Sequence, residues 1–463
     1  MTQVLSLPFG TGKVEVELPD DAQVIRPAQA RLEPLADFRA ALEAALSRPL
    51  GLPPLGELVG PASRVLIAFD DPCSPARGPI REVAIKTVLD ALVEAGVRLE
   101  NIRAVVANAL HRKFNRAELV ATIGAELVEA LGERLACHDA EDPENLVYLG
   151  KTPSGYDVEV HRAVVESDLT IYINSGYNLG FNGGWKSVCV GLSTWRSIRW
   201  THTPDGMSMS IRNNRMHRIL DEMGAHLEAC LGRRIFKIEM LRATYEQPAA
   251  VWAGGIRETR QAALETLAAQ LPPRRSAVPG PVDILIYGVP DNSPYAVFAR
   301  TNPILTLISS GLGYLGGYIE AVGKPGCTVI LATPCPEEWD LEHHPSYKEV
   351  WDRVLTQTLD PYEIMARFEA EFAVHPGYIE KYRFGFAFHP VHSLLATHPL
   401  RRLRHAGRVF VAGAVDPTVP EHVGFKAFKT VESALEAAQQ IHGPGATVAV
   451  VDYSDQLRPT RGT

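Results

Sequence analysis

The chain lacks the marks of several common protein classes. Its six cysteines include no CxxC pair, so the sequence predicts neither a zinc knuckle nor a disulfide framework. It has no long basic run and a formal net charge of −8, which argues against a nucleic-acid or acidic-membrane surface. No stretch approaches the roughly 20 apolar residues of a membrane span, and the first residues show no signal-peptide pattern. We therefore expect a cytoplasmic protein that binds neither nucleic acid nor membrane.

What is present is the composition of a folded, multidomain protein. With 463 residues, 46% hydrophobic and 22% charged, the chain is long enough for two or three domains. The stretch 271–283 is rich in proline and lacks periodicity, so we place a domain boundary inside it. We predict an N-terminal, cofactor-binding α/β domain over 1–275 and a C-terminal α/β domain over 282–400. A closing βαβ segment over 401–463 could pack back on the N-terminal domain.

Apolar runs alternate with helical patterns in the first of these domains. Buried strands are predicted for RVLIAFDD (64–71), IRAVVANAL (102–110) and DLTIYINSG (168–176), with helical periods between them. Parallel strands need a crossover connection, and that crossover is normally a helix. We therefore predict the α/β fold class, with two α/β domains, largely parallel sheets and an active site in the cleft between the domains.

Polar residues follow these strands at their carboxyl ends, which is the edge where parallel sheets bind ligands. Asp70 and Asp71 end the first strand, His111 follows the second, and a glycine-rich loop follows the third. A histidine in this position is a candidate acid or base, because its pKa lies near neutrality. Because all of these residues fall at the same edge of the sheet, we predict a single active site at that edge.

The loop 174–202 packs five glycines around Lys186 and ends on His202. It nearly fits the phosphate-binding G-x-x-x-x-G-K-[ST], but Trp185 stands where the second glycine belongs and would crowd the backbone around the phosphates. Two other interpretations of Lys186 remain open: a desolvated amine that attacks a carbonyl or thiocarbonyl carbon, or a structural lysine at a helix start. The candidate cofactor-binding residues are Lys186, Asp71, Gly180, Gly183 and Gly184.

Other histidines give weaker signals. His202 lies 16 positions beyond Lys186, and a lone histidine is most often a surface or satisfied core residue. His389 and His392 could share one face of a helix, but this pair has no third metal ligand. The acidic segment 337–342 is most simply a solvated face.

Taken in order and spacing, these motifs resemble the lactate racemase family, whose enzymes use the nickel-pincer nucleotide. The resemblance covers most of the chain. It rests on LPFGTGKVEVELPDD near the start, the DDP…P segment after the first strand, NALHR, YNLGFNGGWKSVCVG with its downstream histidine, and GFKAFKTVESALEAAQQIHGPGATVAVV near the end.

The resemblance implies a cofactor, Ni(II) pyridinium bisthiocarboxylic acid mononucleotide, joined to Lys186 through a thiocarboxylate carbon. It implies nickel in a square plane of two sulfurs, one ring carbon and the imidazole of His202. His111 matches one of two catalytic histidines, which remove the hydroxyl proton of a 2-hydroxy acid while hydride moves to the cofactor. Hydride returned to either face of the flat 2-oxo acid inverts the centre. The expected partners are this substrate and the proteins that make the cofactor.

The chain departs from the family's pattern mainly in the substrate half of the site. The second catalytic histidine is expected ten residues before the lysine, where this chain has Gly176. The expected substrate-binding arginine corresponds to Ser74, with Arg77 close by, and a basic residue of the second domain corresponds to Arg300. Trp185 also replaces the arginine that usually stands beside the lysine. The cofactor half is therefore expected to be intact and the substrate half altered.

A glycine at position 176 leaves one face of the substrate without the expected base. Tyr177, Asp71 or a residue of the second domain could replace it, or the enzyme epimerises one centre of a larger molecule. We expect an isomerase: a nickel-pincer-dependent racemase or epimerase of a 2-hydroxy acid larger than lactate, such as a sugar acid. The alternatives are a net hydride-transfer oxidoreductase on the same cofactor and a non-catalytic protein that binds it.

Overall fold

Buried apolar strands form the centre of this chain. The computed structural model describes residues 2–74 and 76–454. In chain order the strands are β1 (Thr2–Phe9), β2 (Gly12–Pro19), β3 (Gln23–Ile25), β4 (Val65–Asp70), β5 (Ile102–Ala107), β6 (Leu135–Cys137), β7 (Leu146–Lys151), β8 (Asp157–His161), β9 (Leu169–Ile173), β10 (Phe236–Arg242), β11 (Pro248–Gly255), β12 (Val282–Gly288), β13 (Gly323–Ala332), β14 (Arg408–Ala412), β15 (Lys426–Phe428) and β16 (Val448–Val451).

Helices connect many of these strands. In chain order they are α1 (Phe38–Ser47), α2 (Ile80–Glu94), α3 (Arg116–Ile123), α4 (Ala125–Leu131), α5 (Arg162–Glu166), α6 (Lys186–Cys189), α7 (Trp195–Ile198), α8 (Arg215–Leu231), α9 (Ile256–Gln270), α10 (Ile319–Val322), α11 (Pro345–Glu349), α12 (Pro361–Ala373), α13 (Pro376–Phe384), α14 (Val391–Leu395), α15 (Thr418–His422) and α16 (Val431–His442). A π-helical segment covers Ile304–Tyr314.

The helical period over 115–132 contains two helices, α3 and α4. Asn115 and Glu118 form a capping box that starts α3, because each side chain accepts the other residue's backbone N–H. Gly124 then adopts a φ of 85°, which only glycine takes without strain, and the chain turns before α4 begins. The apolar period continues across the break, so periodicity alone could not reveal it.

The described residues group into two units. Unit 1 draws its residues from Met1–Gln29, Leu271–Tyr378 and Pro390–Thr463, and unit 2 draws its residues from Ala30–Gln270 and Ile379–His389. The division therefore differs from the predicted domains at both ends of the chain, since the first residues and the closing segment group in unit 1.

Unit 1 contains a six-stranded sheet in the order β15-β14-β13-β12-β16-β3, in which every neighbouring pair is parallel. Strand β3 joins this sheet beside β16, with Val24 opposite Val450. The closing segment completes the same sheet, because β14 pairs with β13 and β16 pairs with β12. Strands β1 and β2 form an antiparallel hairpin.

Unit 2 contains a second six-stranded sheet, in the order β11-β10-β9-β4-β5-β6. Its pairs are parallel except β10 with β11. All six residues of β4 are buried, and burying one large apolar side chain contributes about 1.5–3 kcal/mol, so this apolar run is fixed at the sheet's centre. The predicted α/β class with largely parallel sheets is confirmed.

Several strands do not follow the apolar pattern from which strands were predicted. β7 and β8 are only half-buried, and β10 carries charged residues within a buried strand. Within the described part of the chain, none of the helices combines the length and apolar character required to cross a membrane.

Candidate active site

Four strand ends of unit 2 meet at one edge of its sheet. β4 ends at Asp70, β5 ends just before Asn108, β9 ends just before Asn174, and β10 ends at Arg242. In the sheet, β9 lies between β10 and β4, and β5 is the other neighbour of β4. The residues that follow these strands therefore share the edge where ligands bind in parallel sheets.

Asp71 and His111 form a hydrogen-bonded pair at this edge. The carboxylate Oδ2 lies 2.7 Å from the imidazole Nδ1. Burial by itself would raise the pKa of Asp71, but the charge and hydrogen bond of His111, with the charge of Arg81, outweigh it and hold that pKa below its usual value. The imidazole also packs on the ring of Phe388, with centroids 5.5 Å apart. An ionised carboxylate therefore holds one nitrogen of a fixed histidine.

Arg81 supports this edge, although the sequence patterns did not single it out. Its buried guanidinium donates to the backbone carbonyls of Asp70 and Asp71 at 2.9 and 2.8 Å, and it pairs with the Asp70 carboxylate at 3.7 Å. The only feature of the sequence that could have identified Arg81 is its position in the first turn of α2, the helix that follows the buried strand β4. A fixed guanidinium here holds the end of β4 and the two acidic residues in place.

The loop after β4 is tied to the loop after β9. Ser175 donates its backbone N–H and its hydroxyl to the Asp70 carboxylate, at 2.9 and 2.7 Å. Its hydroxyl is 3.5 Å from that of Ser74. Arg77 donates Nη1 to the backbone carbonyls of Pro72, Ser74 and Ala76 at 3.0–3.2 Å. Its side chain therefore stabilises the loop in which it lies. Substrate binding by Ser74 and Arg77 stays a prediction.

Cys73 adds a third potential ligand beside the Asp71–His111 pair. Among the described residues, these three side chains form a group whose possible metal-binding atoms all lie within 4.8 Å of one another. The Cys73 N–H also donates to Asp71 Oδ1 at 3.2 Å.

Lys186 begins the short helix α6 and is half-buried. Its Nζ lies 3.5 Å from Asn182 Oδ1 and 4.1 Å from the centre of the Phe181 ring. Burial lowers the pKa of Lys186 to about 8, although the charges of Asp71 and Asp70 act in the opposite direction. Lys186 therefore presents far more neutral, nucleophilic amine near pH 7 than an ordinary lysine does.

His202 also contacts the ring of Phe181. It is buried, its ring meets Phe181 edge-on at 6.3 Å, and its Nδ1 is 2.9 Å from the Thr201 hydroxyl. A hydrogen bond on one ring nitrogen orients an imidazole so that the other nitrogen can serve as a metal ligand. Phe181 thus contacts both the candidate tethering lysine and the candidate nickel ligand.

Buried charged residues lie beneath the glycine loop, and the sequence patterns missed them. Glu239 Oε2 accepts the N–H of Gly184 at 3.0 Å. Arg260 donates to the carbonyls of Gly180 and Asn182 at 2.9 and 2.5 Å. The only local signal was the alternation of charged and apolar residues in FKIEMLR, the sequence of β10.

Lys237 completes this group from the same strand as Glu239. Its fully buried Nζ donates to the hydroxyl of Ser187, the residue after Lys186, and lies 3.9 Å from the Glu239 carboxylate. Burial lowers the pKa of Lys237 to about 8. The loop that carries Lys186 is therefore held at several points by fixed polar side chains.

Two glycines in the loop have conformations that exclude a side chain. Gly183 has a φ of 80°, and an added Cβ would clash with the Tyr177 hydroxyl. Gly184 has a φ of 54°, and its Cβ would clash with the arm of Arg260. The ring of Trp185 packs against Gly224 of α8, where an added Cβ would overlap it.

Tyr177 is buried, and burial together with the charge of Glu239 raises its pKa well above the usual value. The raised pKa keeps the hydroxyl protonated near pH 7, which disfavours the role of replacement base suggested for Tyr177. That role stays a prediction.

Arg300 lies in unit 1, where it is exposed and pairs with Glu338 at 3.8 Å. Its role in holding a substrate carboxylate also stays a prediction. His389 and His392 have separate partners: His389 Nε2 is 3.0 Å from Glu141 in unit 2, and His392 Nδ1 is 2.6 Å from the Tyr347 hydroxyl in unit 1.

The fold and the site together define an α/β protein with a glycine-loop lysine and an aspartate–histidine pair at the edge of a parallel sheet. A family model described as the lactate racemase N-terminal domain matches residues 9–214. Over this stretch, which is less than half of the chain, the sequence is similar to the lactate racemase family.

Two curated relatives are also similar to this chain, and both are named lactate racemase. The protein from Thermoanaerobacterium thermosaccharolyticum is 26% identical over 225 residues, which are 46% of this chain and 51% of that protein. The protein from Lactiplantibacillus plantarum is 25% identical over 226 residues, which are 46% of this chain and 52% of that protein. In these alignments the chain spans about half the length of the curated relatives it matches.

Solved structures share the fold. The lactate racemase apoprotein from T. thermosaccharolyticum superimposes with a TM-score of 0.69 at 18% identity and covers 97% of this chain and 98% of its own. A protein from Thermotoga maritima superimposes with a TM-score of 0.53 at 15% identity, over 92% of this chain and 97% of its own.

Proposed function

We propose that the chain is a racemase or epimerase of a 2-hydroxy acid that uses the nickel-pincer nucleotide. The observation that carries this proposal is the 2.7 Å contact between Asp71 and His111 at the sheet edge that also bears the Lys186 loop. An ionised carboxylate on one ring nitrogen aligns the other for proton transfer. The similarity of residues 9–214 to the lactate racemase N-terminal domain supports the reaction class.

The residues present fit the cofactor that the family implies. Lys186 supplies a half-buried amine with a pKa of about 8, suited to a covalent bond with a thiocarboxylate carbon. His202 supplies an imidazole oriented by Thr201, and imidazole is a ligand that Ni(II) accepts. Gly183 and Gly184 keep the backbone before Lys186 clear of side chains. When bound, the cofactor would take a hydride from the substrate carbon and return it.

The chain's own contribution to chemistry is proton transfer. In this proposal His111 accepts the hydroxyl proton of the substrate, and the Asp71 carboxylate stabilises the resulting imidazolium. The lowered pKa of Asp71 keeps that carboxylate ionised at neutral pH. In this proposal the imidazolium of His111 then gives the proton back to the same substrate oxygen as the hydroxyl group is re-formed, so that no proton is gained or lost overall.

The absence of a side chain at Gly176 bears on the substrate. A racemase of mirror-image substrates needs a base for each enantiomer, whereas an epimerase that inverts one centre of a larger molecule does not need this symmetry. We therefore propose a hydroxy acid larger than lactate, such as a sugar acid. The missing base supports this proposal. The lack of a side chain at Gly176 does not leave additional space for a larger substrate there, because the side chain of Arg242 lies against Gly176.

The test is chiral chromatography of 2-hydroxy acids after incubation with the full chain, co-produced with the cofactor-making proteins. Inversion at the hydroxyl-bearing carbon by the wild type, with none by His111→Ala or Lys186→Ala, is the expected result. Net formation of a 2-oxo acid without inversion would favour a hydride-transfer oxidoreductase. Nickel and an adduct on Lys186 without turnover of any acid would favour a non-catalytic cofactor-binding protein. Retained turnover by His111→Ala would remove His111 from the mechanism.

A further inference from the structure

Three side chains of types that bind transition metals converge at the sheet edge that carries the proposed proton-transfer pair. Asp71, Cys73 and His111 offer a carboxylate oxygen, a sulfur and a ring nitrogen, and these three atoms all lie within 4.8 Å of one another. Asp71 and Cys73 are buried, whereas His111 keeps 22% of its side chain exposed. Ions in solvent therefore reach the group through His111.

The backbone around each of these residues is fixed by its own contacts. Cys73 donates its N–H to Asp71 Oδ1 at 3.2 Å, and Arg81 donates to the Asp71 carbonyl at 2.8 Å. His111 donates its N–H to the Asn108 carbonyl at 2.7 Å, and the Asn108 amide donates to the His111 carbonyl at 3.0 Å. Residues held in this way lose little conformational freedom when they bind a metal ion.

The distances within the group suit one small ion after a modest adjustment. Tetrahedral Zn²⁺ binds oxygen and nitrogen at about 2.0–2.2 Å and sulfur at about 2.3 Å, which places its ligand atoms roughly 3.4–3.6 Å apart. The Asp71–His111 contact of 2.7 Å is shorter than this, and the distances from the Cys73 sulfur are at most 4.8 Å. Side-chain movements of about 1 Å therefore bring the three atoms onto one ion, which replaces the proton between Asp71 and His111.

The chemical types of the three ligands favour zinc. Thiolate, imidazole and carboxylate are all zinc ligands, and three protein ligands leave the fourth tetrahedral position open. Hard cations such as Mg²⁺ and Ca²⁺ take oxygen ligands instead. A nucleophilic thiol fits the geometry less well. In a thiol–imidazole–carboxylate relay the ring stands between the other two groups, whereas the Cys73 sulfur also lies close to the carboxylate.

The charges around the group are compatible with a bound cation. Asp70 and Asp71 are acidic, and zinc binding releases the proton of the Cys73 thiol to solvent, which leaves a thiolate. These negative groups offset the cationic side chains within electrostatic reach, Arg81 and Lys186. The site therefore does not add an uncompensated charge to a buried region.

We propose that Asp71, Cys73 and His111 form a Zn²⁺ site whose occupation blocks proton transfer by His111. A zinc ion bound there occupies the imidazole and the carboxylate on which that transfer depends, so the same histidine cannot also act as the base. The inhibitory effect rests on the proposed function, whereas zinc binding does not. The inference assigns Cys73 the role of the ligand that makes the Asp71–His111 pair sensitive to zinc.

Metal binding is measured by titrating the full chain with CoCl2, purified without its cofactor so that nickel does not contribute to the absorption. A thiolate bound to Co²⁺ gives a sulfur-to-metal charge-transfer absorption, and displacement of Co²⁺ by ZnCl2 gives the Kd of zinc. The variant is Cys73→Ala. The matched control is Cys230→Ser, which removes the exposed cysteine beside His226. Melting temperatures show that each variant is folded.

We expect the charge-transfer absorption in the wild type and in Cys230→Ser. Cys73→Ala should lose this absorption and bind Zn²⁺ at least about 100-fold more weakly, because losing a direct ligand costs more than losing an outer-shell partner, which costs about 10- to 100-fold. A wild type without the absorption overturns the inference, and so does an absorption that survives in Cys73→Ala.

A second measurement follows His111 in the cofactor-loaded chain. Labelling of its imidazole by diethyl pyrocarbonate is quantified by peptide mass spectrometry with and without ZnCl2, and turnover of 2-hydroxy acids is measured alongside. At about ten times the Kd of zinc, labelling of His111 and turnover should both fall about tenfold in the wild type and in Cys230→Ser. In Cys73→Ala that zinc concentration should change neither quantity. Half-buried His375 of unit 1 is the labelling reference.

Failure of the inference and failure of the proposed function give different results. Turnover that zinc slows equally in wild type and Cys73→Ala, or does not slow at all, leaves the function standing and overturns the inference. Protection of His111 by zinc that depends on Cys73, without turnover of any acid, supports the zinc site and removes the racemase proposal. A wild type with neither protection of His111 nor turnover overturns both.

Discussion

The state of the Lys186 amine can be tested by its reactivity as a function of pH. With a pKa of about 8, Lys186 is about 10% neutral at pH 7, whereas an ordinary lysine with a pKa near 10.4 is about 0.04% neutral. Its labelling by an amine-directed reagent should rise about fivefold from pH 7 to pH 8 and less than twofold from pH 8 to pH 9. An ordinary lysine rises about tenfold at each step.

The assay is quantitative peptide mass spectrometry of the cofactor-free chain, with exposed Lys13 as the reference for reagent decay. Asp71→Asn sharpens the test, because the Asp71 charge raises the pKa of Lys186. Without that charge the pKa should fall further, and the labelling curve should level off at lower pH. Asp90→Asn, an exposed acid paired with Arg39, is the matched control and should leave the curve unchanged. A tenfold rise through pH 9 in the wild type would refute the reasoning.

Two further predictions concern the support of the loop. Gly224→Ala should lower the free energy of unfolding by about 1–3 kcal/mol, because the added methyl overlaps the Trp185 ring, although alanine is the better helix former. Thermal unfolding measures this effect. The control is Gly445→Ala, where an added Cβ meets nothing within 4 Å. Lys237→Met should cost about 3 kcal/mol by leaving Glu239 buried without its cation, and adding Glu239→Gln should recover part of that loss in chemical denaturation.

The first of these predictions fails if Gly224→Ala is as stable as Gly445→Ala, which would mean that the Trp185 ring is not packed on α8. The second fails if the double variant is no more stable than Lys237→Met alone, because the two charges would then not interact.

Much of the site could be predicted because its elements are local. The apolar runs before Asp70 and His111 identify buried parallel strands, and parallel strands bring their carboxyl ends together without further information. The glycine-rich stretch around Lys186 likewise identifies a loop of close backbone contacts. These features depend on residues within a few positions of one another.

Features that depend on distant pairing could not be predicted. Glu239 lies 55 residues beyond Gly184, and Arg260 lies 80 residues beyond Gly180, so nothing near these glycines indicates their partners. Strand β3 joins its sheet through Val24 and Val450, which lie at opposite ends of the chain. Gly176 could be recognised as the position of a missing base, but only the structure shows the side chain of Arg242 beside it.

The most direct test of the central claim is the intact mass of the full chain co-produced with the cofactor-making proteins, measured together with its nickel content. The account predicts an added mass equal to that of the cofactor, located on Lys186 by peptide mapping, with nickel bound to the same protein. Both should be absent from Lys186→Ala, while His202→Ala should keep the added mass and lose nickel. A wild type with no added mass and no nickel, or an adduct that survives in Lys186→Ala, would contradict the account.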